Sequence, residues 1–162
     1  MRSLLFPVVA LIMAMAASPA PAQVPNSDIW LADIEARPDG LHIENPVNVT
    51  NRPGYDNQPA FLWSYRLGDT EPPATGGFLF TSADSLGATD IFRWDSQQRT
   101  SVRVTRTSES EYSPTPFAPP STTPVGFYCV RVEADSTQRL WQFAIDGSSP
   151  RVVMAGVDSV GY

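Results

Sequence analysis

Gly77-Phe78-Leu79-Phe80-Thr81-Ser82, then Asp90-Ile91-Phe92-Arg93-Trp94-Asp95, then Ser101-Val102-Arg103-Val104-Thr105: this stretch decides the fold. Each piece is short, rich in aromatic and β-branched residues, and separated from the next by Gly, Asp, Ser and Thr. That texture predicts strands joined by tight turns. Outward from it, in both directions, apolar runs continue to alternate with turn residues and almost no segment shows helical periodicity. The chain reads as all-β. In this central unit the spacing predicts strands over residues 60–64, 77–82, 90–95 and 101–105, with loops at 83–89 and 96–100. The next unit predicts strands over 115–117, 126–133, 139–145 and 151–154. Asp146-Gly147 is its tight turn, since Gly accepts the positive φ required there.

The sequence repeats itself. Asp28-Ile29-Trp30 and Asp33 return as Asp90-Ile91-Phe92 and Asp95. Val47, Val49, Thr50, Asp56 and Pro59 return 55 positions on as Val102, Val104, Thr105, Glu111 and Pro114. Gly77-Phe78, Ile91-Phe92, Trp94 and Val104 return 49 positions on as Gly126-Phe127, Leu140-Trp141, Phe143 and Val153. The changes in offset place insertions at residues 36–42 and 67–75. A unit of about 50 residues carrying four short strands fits a propeller blade. Its alternating aromatics, among them Phe78, Phe80, Phe127 and Phe143, are then the filling between blades.

The segment Phe78-Leu79-Phe80-Thr81-Ser82-Ala83-Asp84 with Asp90-Ile91-Phe92, Asp95 and Val104-Thr105 resembles the WD-like propeller repeat of the TolB family. So does Arg139-Leu140-Trp141 with Ile145-Asp146-Gly147 and Arg151-Val152-Val153. The resemblance spans residues 28–154. It departs where the family has a Ser-Pro-Asp-Gly turn: here stand Leu62-Trp63-Ser64-Tyr65 and Ala118-Pro119-Pro120-Ser121. The resemblance implies an extracytoplasmic propeller that binds partners. Antiparallel four-stranded blades are expected, about two and a half of them: a half blade at 28–50 and blades at 51–105 and 106–154. Closed propellers typically have four to eight blades. The expectation is the N-terminal part of a longer, truncated propeller; the rivals are two chains closing one ring and a β-sandwich.

Residues 1–22 read as a signal peptide: Arg2, an apolar core over residues 4–17, and Ala20-Pro21-Ala22 before a cleavage at Gln23. The expected location is periplasmic or secreted. Cys129, the only cysteine, cannot form an internal disulfide and carries no lipid next to the apolar segment. It reads as a buried thiol, with a reactive nucleophile as the alternative. The 11 basic residues, all Arg, stand against 17 acidic ones, for a net charge of −6. That balance argues against nucleic acid and anionic membranes as partners. No apolar run after residue 20 is long enough to span a bilayer.

Chemistry-bearing motifs are few. The one histidine, His42, lies in the predicted insertion Arg37-Pro38-Asp39-Gly40-Leu41-His42, and nothing resembles Gly-x-Ser-x-Gly. Asp84, Ser85 and Asp90 lack the acidic density of a calcium loop and read as turn carboxylates. No catalytic residue, metal site or cofactor is expected. The binding candidates are Asp56 and Glu111, equivalent residues just before the innermost strands, flanked by Tyr55 and Tyr112. Recurring around a ring, the two carboxylates make an acidic channel mouth for a cation or basic peptide; otherwise they accept backbone N–H bonds. The proline-rich run at 113–124 is either a polyproline ligand or an inner strand with a stiff loop. Asn48-Val49-Thr50 has the glycosylation pattern but falls on a predicted strand. The expected function is a non-enzymatic envelope scaffold binding a protein or peptide, with possible self-association. The alternative is the propeller portion of a prolyl-oligopeptidase-like hydrolase.

Overall fold

The computed structural model describes residues 26–62, 76–83, 87–118 and 125–154. The signal-peptide reading, the insertion at 67–75, Asp84, Ser85 and the far end of the proline-rich run lie outside them. Among the described residues there is no helix, and none long and apolar enough to cross a membrane. Ten strands among the described residues make three antiparallel sheets. A hairpin pairs β1 (Trp30–Arg37) with β2 (Gly40–Asn48). The first four-stranded sheet runs in chain order through β3 (Asp56–Phe61), β4 (Gly77–Ala83), β5 (Thr89–Asp95) and β6 (Thr100–Arg103). The second does the same with β7 (Ser110–Phe117), β8 (Gly126–Val132), β9 (Gln138–Ala144) and β10 (Arg151–Met154).

Successive side chains on a strand point to opposite faces, and the apolar pattern uses both. On the first sheet, Phe78, Phe80, Phe92 and Trp94 occupy one face, here called the leading face, and pack with Ile29, Leu31 and Val49 at the base of the hairpin. Leu79 and Ile91 occupy the trailing face and pack against Phe127, Cys129 and Phe143 on the leading face of the second sheet. β4 is therefore buried along its whole length. Fully burying each such Phe or Leu is worth roughly 1.5–3 kcal/mol. The units thus stack in chain order, leading face on trailing face.

The internal repeat is present in three dimensions. Phe78 stacks on its cross-strand neighbour Trp94 at 5.2 Å between ring centres; Phe127 stacks on Phe143 at 5.3 Å. Gly77 and Gly126 precede those phenylalanines, opposite Asp95 and Ala144, where a Cβ would meet the carbonyl oxygens of Trp94 at 1.9 Å and Phe143 at 2.4 Å. The Thr50 hydroxyl accepts from the Ile29 N–H and donates to Asp28, which also takes a bond from Asn48. Thr105, Ile91 and Asp90 repeat that arrangement, with the Arg103 guanidinium in the place of the Asn48 amide.

The structure shifts several expectations. The innermost strands begin at Asp56 and Ser110, earlier than residues 60 and 115, because their first halves are polar and carry no apolar run. Each is broken by a bulge at an equivalent place, where Gln58 and Ser113 take positive φ of 55° and 56°. Pro59, Pro114 and Pro116 are accommodated because β3 and β7 are edge strands of their sheets. Residues 36–42 form no loop insertion: they lengthen the hairpin, and His42 stands on β2 with its ring 3.0 Å from Asp39. Asp90 is no turn carboxylate; it lies on β5, buried, ion-paired to Arg103. β2 stops at Asn48, so only the first residue of Asn48-Val49-Thr50 is on a strand. Gly147 turns with φ 84°, as the sequence requires.

Candidate functional site

β7 is the strand of the second sheet that approaches β3, β4 and β5, which brings the two innermost strands side by side. Gln58 joins them. Its side-chain oxygen accepts from the Ser113 backbone N–H at 3.0 Å and from the Thr81 hydroxyl at 2.8 Å. Positive φ at Gln58 and Ser113 aims these groups at one another, so the bulges act as a clip between the sheets.

Asp56 and Glu111 sit two residues before those bulges and are 1% and 0% exposed. They are closed off from solvent and form no open acidic mouth, and among the described residues their side-chain partners are arginines and a hydroxyl. Arg52 donates to Asp56 and also to the Ser82 hydroxyl, Ser82 being the cross-strand partner of Asp56. Arg131, the cross-strand partner of Glu111, donates to it at 2.9 Å, and the Thr107 hydroxyl donates at 2.5 Å. The guanidinium of Arg52 lies 5.9 Å from the centre of the Phe92 ring; that of Arg131 lies 3.9 Å from Trp141. Each unit thus holds a carboxylate, an arginine, a hydroxyl and an aromatic face.

The arginine and the hydroxyl have exchanged places. Thr107 is the repeat equivalent of Arg52, and Arg131 is the equivalent of Ser82. The side chains differ at both positions while the set around the carboxylate is kept. Charge-assisted bonds of this kind satisfy a buried carboxylate, and cation–π contact covers the apolar face of the guanidinium. Burial pushes the Glu111 carboxyl above its usual range, with the Thr107 bond and the Arg131 charge opposing. One oxygen each of Asp56 and Glu111 remains without a hydrogen-bond partner.

Tyr55 precedes β3, half-buried, and its backbone oxygen accepts from the Ala83 N–H. Tyr112 lies on β7, half-buried, paired with Val130 across the second sheet. The Cys129 thiol is buried and its pKa is pushed up to about 12 by burial and by Glu111, which leaves it inert as a nucleophile. Among the described residues no group of three His, Cys, Asp or Glu side chains is placed to hold a metal ion. Sequence reasoning missed Arg52, Arg103 and Arg131, and took Asp90 for a turn carboxylate. The signal of the arginines was the excess of Arg over Lys, since the planar guanidinium is suited to buried, bidentate and stacked roles. Comparison with protein-family models, with curated proteins and with solved structures finds no match for this chain.

Proposed function

We propose that this chain is a non-enzymatic, extracytoplasmic β-propeller scaffold that binds a protein or peptide at the inner edge of its stacked sheets. The observation that carries the proposal is the pairing of two equivalent inner edges. β3 and β7 lie side by side, clipped through Gln58 and Ser113, with their polar groups locked by arginine. A rigid edge of this kind offers Tyr55, just before β3, and Tyr112, on β7, as amphipathic contacts of low conformational entropy, the type favoured in recognition surfaces. Consecutive four-stranded meanders stacked leading face on trailing face support the propeller reading.

The test is site-specific photocrosslinking in the native host. A crosslinking side chain at Tyr55 or Tyr112 is expected to yield one discrete adduct with a second polypeptide, recovered from the extracytoplasmic fraction. The same group at Val102, on the outer strand β6, is expected to yield none. Adducts only at Val102, or equal labelling everywhere, would overturn an inner-edge site; a chain confined to the cytoplasm would overturn the compartment.

A further inference from the structure

Among the described residues each interface presses a leading face on a trailing face, which leaves one face of the β1–β2 hairpin and one face of the β7–β10 sheet uncovered. At the start, the β1–β2 hairpin buries Ile29 and Leu31 against the first sheet. Its opposite, leading face carries Trp30, Ile34, Leu41 and Ile43, which are 60%, 72%, 75% and 74% exposed. Ile34 faces Ile43 across the hairpin, and Ala36 faces Leu41, so the apolar side chains form one continuous strip. The other face of the arm is polar: Arg37 bridges Glu35 and Glu44, and Asn45 bonds Asp33. A two-stranded hairpin with an uncovered apolar face is marginal on its own.

At the end, the trailing face of the second sheet carries Tyr128, Val130, Leu140 and, paired with Leu140, Met154. Its repeat equivalents on the first sheet include Leu79 and Ile91, both 0% exposed because another unit covers them. On the second sheet Tyr128 and Leu140 are only half-buried and Met154 is 60% exposed. Trp30 shows the same contrast in reverse, since its equivalents Phe92 and Trp141 are packed beneath neighbouring units. Both ends therefore expose positions that the interior buries, and they are opposite halves of one repeated interface.

We propose that the apolar face of the β1–β2 hairpin docks, head to tail, on the trailing face of the β7–β10 sheet of a second copy of this chain. The contact continues the stacking already made twice inside each copy. It is heterologous, so it closes into a ring where the rotation allows and runs on as a filament where it does not. It does not depend on what the inner edge binds, and loss of a partner at Tyr55 and Tyr112 leaves it standing.

Sedimentation equilibrium on the purified chain tests it, with Ile43→Arg at one end and Met154→Arg at the other. Both positions are exposed in the single copy, and unchanged circular dichroism verifies that each variant folds. The wild type is expected to self-associate, and each variant to weaken association at least about tenfold, equivalent to about 1.4 kcal/mol. An equimolar mixture of the two variants is expected to recover a dimer, because one unaltered hairpin can still meet one unaltered sheet. A wild type monomeric at its highest soluble concentration would overturn the proposal and leave these faces to another occupant. So would association that neither variant weakens. A mixture that stays monomeric while the wild type associates would show that the hairpin face and the sheet face do not meet each other, which also overturns it.

Discussion

At Glu111 a fully buried carboxylate meets Arg131 on one side and Thr107 on the other. Removing one partner of such a pair strands a charge away from water, which typically costs about 3–5 kcal/mol. Arg131→Ser is expected to lose stability on that order in urea unfolding. Adding Thr107→Arg rebuilds the arrangement found around Asp56. The double variant is therefore expected to recover much of the loss, with a favourable coupling of about 0.5–3 kcal/mol in a double-mutant cycle. A strictly additive cycle would show that the two positions do not share the carboxylate. The same residue sets a pH dependence. Burial raises the carboxyl above its ordinary value of 4.5, so the folded chain holds that proton more tightly than the unfolded one. The contribution of Glu111 is fully present below pH 4.5 and is lost as pH rises through the raised folded value. Glu111→Gln is expected to flatten the fall in stability over that interval, measured as unfolding midpoints from pH 4 upward.

The element most constrained is the start of β4. Gly77 has φ 120°, and its Cα faces the Trp94 carbonyl so closely that an added Cβ would overlap it. The neighbour is backbone on the next strand and cannot rotate aside. Gly77→Ala is expected to cost about 1–3 kcal/mol in thermal unfolding, through strain and displaced pairing. An unaffected melting temperature would mean that β4 and β5 separate more easily than their register implies. Elements of this kind were legible in sequence. β4, β5, β8, β9 and β10 fall within a residue of their expected bounds because their strand signal is apolar and aromatic. β3 is expected too late, over 60–64, and β7 too short, over 115–117. Their first halves, Asp56-Asn57-Gln58 and Ser110-Glu111-Tyr112, are held by arginine pairs and a bulge, which leave no hydrophobic alternation to read.

Over the whole molecule, protection should follow burial rather than chain order. β4 is buried at every residue, and β8 carries Phe127 and Cys129 into the same core, whereas β10 is exposed throughout and the outer half of the hairpin mostly so. Hydrogen exchange is expected to be slowest in β4 and β8 and faster by orders of magnitude at the hairpin tip and β10 in dilute solution. Uniform protection would indicate one cooperative unit reaching to both ends. The candidate site was only half legible at this scale. Repeat matching finds Asp56 with Glu111 because both stay acidic at one position. It cannot find Arg52 with Arg131, because what the two units keep is a set of groups around a point in space, supplied from different strands.

That exchange of arginine and hydroxyl also constrains the ancestry of the two units. A lineage that converts one arrangement into the other must change two codons, one after the other. Losing the old arginine first passes through a protein with a stranded carboxylate, at the stability loss argued for Arg131→Ser. Gaining the new arginine first leaves a surplus guanidinium, and a long flexible stem can carry that charge out to water. The permissive order is gain before loss, so a duplicated unit with two arginines around one carboxylate is the natural intermediate between the pair seen today.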